Sequence, residues 1–502
     1  MSIPGQTLNI KDPGLGMAEA ATMRPLCFGP ASTGDYAVHL FSSPTDAAAY
    51  YSEGQLVELV TGTLGRAGSP VLCCRSAASV TASNSAVTKT AVAGGTGTGT
   101  ITVAGTPLDD YEVVIETTDG TVGTGTFRVS LDNGADGGDT WSPWITIPAG
   151  ATYEIPTTGL TLTFVPGGGS VYFETGDSHA FTATAAMWNS VDLAGVIAAC
   201  SSDSNPWRFL VGAGEPATAA AAAVLFSALD THMTALANAY KFRRAMISGG
   251  GGTAAAAASA LTPTSTRILQ AFGRIYRTSG NPIMGRGLPN TPIVNAFCER
   301  AVGPKTNGLG IPSTDLKRVL SGPISGVATN ADGSPKMSHD ERTNEILDSK
   351  GVSTFRTYEG QPGVYPTQGR LKSPAGSDFV YWPLGLLMDI ACETVYAQQF
   401  LWTGEDVRTN DDGTIDARDA ERIRAGVLKA LRAQLTSKSR ASGQRGYVQE
   451  VDYTIVADHD VMSTGTIASE VAIKPFRTID GFETNLGFVR QILVLTNVSV
   501  AA

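Results

Sequence analysis

The sequence predicts an α/β core, a mixed sheet flanked by helices, that carries an inserted all-β (sandwich-like) domain and is followed by an α+β C-terminal domain with extended terminal arms. Three observations predict it. Strand-like and helix-like runs alternate near the amino end and again after Met187, the order that builds parallel sheets with helical crossovers. Between about 81 and 185 the text changes to short alternating runs separated by Gly, Thr and Asp turns. The two chain ends read as extended.

Residues 1–25 hold Leu8 and Ile10 in "TLNIKDPG" but little further periodicity, and Pro4 and Pro13 interrupt them, as in an extended arm. The first part of the core is 26–80. There "LCFGPAS" reads as a strand into a loop, Ser43 before Pro44 opens a helix through Tyr51, and "SPVLCCRSA" is a second strand. The inserted domain, 81–185, holds "TITVAG", "YEVVIETTDG", "TGTFRVSLDNG", "WITIPAG", "GLTLTFVPGGG" and "SVYFETGD" as strands. In "GLTLTF", Leu160, Leu162 and Phe164 face one way and Thr161 and Thr163 the other, the period-two pattern of a half-buried strand.

The core resumes over 186–375. "SVDLAGVIAAC" is a helix, "WRFLVGAG" a strand, "EPATAAAAAVLFSALDTHMTALANAY" a long helix and "RRAMISG" a strand, followed by a loop-rich middle over 262–365. The C-terminal domain, 376–488, opens with an apolar helix around Leu384 and Trp402. Asp416 then caps a helix that carries Ile423, Val427, Leu428, Leu431 and Leu435 on one face, and "YVQEVDYTIV" and "IASEVAIKPF" follow as strands. Residues 489–502 form a strand arm in which Ile492, Leu493, Val494, Leu495 and Val498 make two-faced apolar text.

Composition narrows the function. With 502 residues and a net charge of −10, the chain is not built to coat nucleic acid, which needs clustered cations. It is 42% hydrophobic and 16% charged with 57 glycines, so its surface is rich in small, weakly polar side chains, as suits a protein covered by other subunits. The six cysteines are scattered without zinc spacing and read as reduced, with synthesis in the cytoplasm. "MSIPGQTLNIKDPG" has no basic region ahead of an apolar core, so no secretion signal is expected. "DFVYWPLGLLMDIACETVYAQQFLW" carries Asp378, Asp389 and Glu393 and reads as a buried helix, not a membrane span.

Few residues offer chemistry. The run "GGTGTGTITVAG" at 94–105 opens a strand instead of following one, so it marks a domain edge and does not cradle a phosphate. Gly249, Gly250, Gly251 and Gly252 do stand between a strand and an Ala-rich helix, where amides could hold an anion, and they support the alternative of a nucleotide-binding α/β enzyme. They lack the Lys-Ser/Thr of a P-loop and the G-x-G-x-x-G spacing, so a flexible loop is favoured. "RTNDDGTIDARDAE" imitates a calcium loop, but Arg408 and Asp419 occupy its first and last ligand positions. No second histidine stands at metal spacing from His39, His179, His232 or His459, and "SGPISGV" around Ser325 lacks the spacing of a nucleophile elbow. No catalytic residue, cofactor or metal is expected. Arg418, Arg422, Arg424, Lys429 and Arg432 stand against Asp419 and Glu421. They make either a solvated helix face or an electrostatic contact with an acidic partner or neighbouring copy.

Several segments, in order, carry a family resemblance: "FGPASTGDYAVHLFSSPTDAAAYYSEG", "GTITVAGTPLDDYEVVIETTDGTVGTGTFRVSLDNG", "YWPLGLLMDIACETV" and "VDYTIVADHDVMSTGTIASEVAIKPFRTIDGF". Together they resemble the contractile tail sheath proteins of tailed bacteriophages and related contractile injection systems. The resemblance implies a structural subunit, not an enzyme, located in the contractile tail of a virion assembled in the host cytoplasm. Such subunits stack as hexameric rings around an inner tail tube, meet baseplate and tail terminator proteins, and contract to drive the tube through the host envelope for genome delivery. Direct contact with nucleic acid and membrane insertion are not implied. Extended arms of such proteins add strands to neighbouring subunits, which makes Leu8, Ile10, Ile492, Leu493, Val494, Leu495 and Val498 the expected donor positions. Another surface or assembly protein with a β-sandwich head is the remaining reading.

Overall fold

The computed structural model of the chain describes residues 25–67, 70–131, 141–168, 172–202, 207–275, 291–292, 327, 329–330, 332–335, 337–367, 369–436 and 448–475. The core begins with β1 (Pro25–Gly29), buried throughout, then β2 (Val38–Phe41), α1 (Pro44–Tyr51), α2 (Gln55–Ala67) and β3 (Val71–Arg75). Ser43 caps α1 by accepting from the Asp46 amide, and Pro44 follows where a missing amide costs nothing. Leu56, Leu59, Val60 and Leu64 recur at helical spacing along α2 and are all buried. Neither β2 nor α2 was anticipated from the sequence.

A set of strands intervenes before the core resumes: β4 (Ser83–Asn84), β5 (Thr88–Thr90), β6 (Thr100–Gly105), β7 (Tyr111–Thr117), β8 (Thr126–Ser130), β9 (Ile145–Thr146), β10 (Thr152–Ile155), β11 (Leu160–Val165) and β12 (Ser178–Thr184). They pair in two antiparallel sheets, β10-β11-β6 and β4-β12-β7-β8-β9, with β5 also on β12. Tyr111, Val113 and Ile115 of β7 and Leu160, Leu162 and Phe164 of β11 are buried on alternate positions, and with Phe127, Phe173 and Phe181 they form a separate core. The unit leaves and rejoins the main chain at one place. Val80 and Met187 exchange amide-to-carbonyl bonds of 2.9 and 3.0 Å.

The strand expected in "SVYFETGD" is displaced. Phe173 makes only an isolated bridge to Gly120, and the strand starts at Ser178, after Gly176 turns the chain at φ 94. The run at 94–105 follows β4 and β5 within the unit and leads into β6, an outer strand of β10-β11-β6, and two of its carbonyls are taken by a side chain. Those of Gly97 and Gly99 accept from Lys89 Nζ at 2.8 and 3.2 Å, while Lys89 pairs with the buried Asp177 at 2.8 Å. Beside this pair His179 is 1% exposed. Burial, and then the Lys89 cation, push its pKa down to about 4.

The core resumes with α3 (Ser190–Ser202), β13 (Phe209–Gly212), α4 (Ala219–Asn238), β14 (Arg244–Ser248), α5 (Ala254–Ala260) and β15 (Ile268–Ala271). The sheet order is β15-β14-β13-β1-β3-β2, parallel except for the edge strand β2, which runs antiparallel to β3. The parallel strands are apolar on both faces because both are covered. Cys27, Val211, Met246 and Leu269 pack with α1 and α2, whereas Phe28, Leu210, Ala245 and Ile268 pack with α3 and α4. Among the described residues α4 is the one helix long and apolar enough to cross a membrane, and its Leu225, Phe226, Leu229 and Met233 lie on this sheet. The described cysteines are unbridged. β15 corrects the loop-rich reading of 262–365, as do β16 (Arg274–Ile275) with β17 (Thr291–Pro292) and the hairpin β18 (Phe355–Tyr358) and β19 (Gln361–Pro366).

The C-terminal part consists of α6 (Trp382–Phe400), α7 (Ala417–Leu431), β20 (Val448–Ile455), α8 (Val461–Thr464) and β21 (Ser469–Pro475). Ile423, Val427, Leu428, Leu431 and Leu435 are buried as their spacing predicts, in the same core as α1 and α2. Ion pairs fasten α6 across the amino ends of β13, β14 and β15. Arg244 Nε lies 2.5 Å from Asp389, both side chains being 2% exposed, and Arg267 reaches the same carboxylate at 3.2 Å. One turn on, Glu393 takes Arg208 at 2.8 Å and Arg243 at 2.7 Å.

Two outcomes follow from these buried charges. Asp389→Ala leaves the Arg244 guanidinium buried without its carboxylate and should lower stability by about 3–5 kcal/mol, read as a fall in the urea midpoint at constant slope; a loss below about 1 kcal/mol would show that α6 is held by apolar packing alone. His179 keeps a folded pKa below its unfolded value of 6.5, so the unfolded chain binds the extra proton first. Stability is therefore lost as pH falls from about 6.5 towards 4, by up to about 3 kcal/mol, and His179→Leu should flatten that part of the urea-midpoint profile. An unchanged slope would rule out His179 as the source.

Candidate functional site: a closed sheet edge and an exposed cationic helix face

Open parallel sheets bind ligands beyond the carboxyl ends of their strands, where successive connections diverge. Here that point lies between β1 and β13, and the chain fills it with its own side chains. Gln55 of α2 lies so close to Gly214 that a Cβ there would stand 2.0 Å from Gln55 Oε1. Gln55 Nε2 donates to Asp110 at 3.4 Å, Asp110 accepts from the Ala185 amide at 2.8 Å, and the Trp188 indole donates to the Ala213 carbonyl at 2.8 Å. Glu215, just after β13, is buried against Arg274, which also stands 3.8 Å from Glu112 of β7. Burial raises the Glu215 pKa, and Arg274 opposes the rise. The edge thus binds the intervening sheets to the core.

The glycine loop is equally committed. The amide of Gly249 donates to Ala271 at 2.6 Å, that of Gly250 to Ser248 Oγ at 3.2 Å, and that of Gly251 to Pro216 at 2.8 Å. Gly250 sits at φ 84 with the Thr218 carbonyl 2.5 Å from where a Cβ would be, so the glycines serve close packing on the start of α4. Thr253 caps α5 through the Ala256 amide. Three of the amides that an anion would need are therefore already bonded. In the stretch 408–419 the carboxylates are likewise turned on the backbone. Asp412 takes the Thr414 amide and hydroxyl, Asp416 the Arg418 amide and Asp419 the Arg408 amide. No group of three metal-ligating side chains occurs among the described residues.

The five cations of α7 and its extension separate. Arg418, Arg422, Lys429 and Arg432 are exposed, at spacings that place them on one helix face. Arg422 lies 4.7 Å over the Trp402 ring and 3.9 Å from Asp419, which holds its guanidinium flat to the surface. Arg424 turns the other way. It donates to the Tyr453 carbonyl at 2.9 Å, to Asp452 at 3.2 Å and to Glu421 at 3.2 Å, bracing α7 against β20.

β20 and β21 form a sheet of two, with Val451 opposite Ile473 and Tyr453 opposite Val471. Val448, Val451 and Tyr453 are buried in the main core, Val471 and Ile473 are half-buried against it, and no third strand joins the pair among the described residues. The expected strand donors Leu8, Ile10, Ile492, Leu493, Val494, Leu495 and Val498 lie outside the described residues. Sequence reading missed the Arg244–Asp389 and Arg274–Glu215 pairs, whose members stand 145 and 59 residues apart. The available signal was a carboxylate inside an apolar helix and two arginines opening an apolar strand, since buried charges require partners.

No protein-family model matches the sequence, and no curated protein matches it. Solved structures do. One from the anti-feeding prophage baseplate in contracted state aligns over 98% of this chain and 100% of its own at 12% identity, with a TM-score of 0.52. A sheath complex of the extracellular contractile injection system PVC, in contracted state, aligns over 98% of each chain at 11% identity with a TM-score of 0.48. The sheath tail protein Lin1278 from Listeria innocua aligns over 90% of this chain and 95% of its own at 10% identity with a TM-score of 0.43. The chain shares its fold with a protein of the anti-feeding prophage baseplate in contracted state.

Proposed function

We propose that the chain is the structural subunit of a contractile tail sheath. It polymerises as stacked hexameric rings around an inner tail tube, in a tail assembled in the host cytoplasm, and contracts to drive the tube through the host envelope for genome delivery. The observation that carries this reading is the likeness of fold, along 98% of the chain, to a protein of the anti-feeding prophage baseplate in contracted state. The geometry is consistent with it. The sheet edge at which an α/β enzyme would bind its ligand is closed by Gln55, Asp110, Glu215 and Arg274, whereas no third strand joins the two-stranded sheet of β20 and β21 among the described residues.

In this reading the arms are the links that persist. A strand laid on β20 or β21 makes several backbone hydrogen bonds, each worth a net ~0.5–1.5 kcal/mol, and none depends on a particular side chain. Subunits can then rotate and slide while staying joined. Arg418, Arg422, Lys429 and Arg432 present an exposed cationic face to an acidic surface of a neighbour or of the tube. Baseplate and tail terminator proteins would close the two ends of the stack.

Negative-stain microscopy of the expressed full chain should show tubes or stacked rings of regular width, and a chain ending at residue 488 should remain a folded, unpolymerised species. A persistent monomer from the full chain would overturn the sheath reading, and tubes from the shortened chain would overturn strand exchange alone. Millimolar nucleotide should leave the Tm of the purified chain unchanged, and a clear rise would return Gly249, Gly250, Gly251 and Gly252 to consideration as a phosphate loop.

A further inference from the structure

Lys372 differs from every other described lysine. It is 7% exposed, and its Nζ has no hydrogen-bond partner. The backbone around it is fixed on several sides. The Lys372 carbonyl accepts from the Ser265 amide at 2.8 Å, and the Leu371 amide donates to Val380 at 2.7 Å. Gly351 packs so closely that a Cβ there would stand 2.7 Å from the Leu371 carbonyl and 3.0 Å from Lys372 Cα. The Lys372 Cα thus packs against Gly351, the residue after the turn Asp348–Lys350, and no carboxylate is paired with its Nζ among the described residues. The charge it feels is another cation, Lys350, whose own Nζ donates to the Ala258 carbonyl at 3.0 Å. Burial, and then Lys350, pull the Lys372 pKa down to about 8.

A buried ammonium beside a second cation is the least favourable charge state such a site can hold, whereas the neutral amine is a nucleophile. Its enclosure selects what can react with it. Burial disfavours a charged or bulky electrophile at an atom without solvent contact, which leaves small uncharged ones as the class to consider. Carbon dioxide has those properties, and its product reverses the charge of the site.

We propose that Lys372 is a carbamylation site for carbon dioxide. The Nζ lone pair attacks the carbon, one C=O π pair moves onto oxygen, and the nitrogen releases one proton to water, leaving Nζ–COO⁻ with no change in oxidation state. The repulsion between Lys372 and Lys350 becomes an attraction.

The full chain is equilibrated with ¹³C-bicarbonate, carbamates are fixed by O-ethylation with a trialkyloxonium salt, and the label is located by peptide mass spectrometry. Label on Lys372 should exceed that on the exposed Lys241 several-fold and be absent from Lys372→Met. In Lys350→Met it should fall several-fold, because the carbamate loses its counter-charge and the amine becomes easier to protonate. Native chain with Lys372 unlabelled, or labelled no more than Lys241, overturns the proposal, as does an unchanged label in Lys350→Met. If Lys372→Met does not fold, the native chain and Lys350→Met still decide the matter.

Discussion

An arginine that is 2% exposed and opens a strand of the central sheet must have a carboxylate at its guanidinium, and the C-terminal part of the molecule is arranged around supplying one. Asp389 meets Arg244 from α6, and Glu393 one turn later meets Arg208 and Arg243. This fixes both the position of α6 and its rotation about its axis, which apolar packing alone would leave loose because it is not directional. α7 packs on α6, β20 packs on α7, and Arg424 braces the last two. The direction in which β20 and β21 present their edges is inherited from the Arg244–Asp389 contact.

The opposite end of the sheet is treated in the same way. Arg274 joins Glu215 at the end of β13 to Glu112 of the intervening strands, and Gln55 and Asp110 fill the remaining space. Buried pairs of this kind add little net stability relative to apolar residues of similar size, but they discriminate strongly between orientations. The carboxyl end of β13 is closed by Gln55, Asp110, Glu215 and Arg274 and α6 is angularly fixed, while Arg418, Arg422, Lys429 and Arg432 are left exposed.

Much of the architecture was legible because amphipathic periodicity reports burial on one side. Leu160, Leu162 and Phe164 alternate as a half-covered strand should, and Ile423, Val427, Leu428 and Leu431 recur as a half-covered helix should. β15 was not legible for the complementary reason. All four of its residues, Ile268 to Ala271, are buried, so no alternation exists to read, and Gln270 within it suggests a loop. In "SVYFETGD" aromatic residues imitate a strand, yet Phe173 fills the separate core from an irregular segment. Of the candidate surfaces, the cationic composition of α7 was visible, but the outward face of Arg418 and Lys429 could be told from the inward brace of Arg424 only once Asp452 and Tyr453 were in place.

The bridge between Val80 and Met187 means that the chain leaves the core for the intervening sheets and returns to it at one doorway. For the core, everything between these two residues is a tether whose ends already touch, and the entropy of closing such a tether rises only by ~0.6 kcal/mol for each doubling of its length. A larger, smaller or different module can occupy the same doorway with little effect on the order of β1, β3 and β13. Even an exchange that removed Asp110 and Glu112 would leave Arg274 its Glu215 partner. The sheets between Val80 and Met187 can therefore be altered independently of the scaffold that carries them.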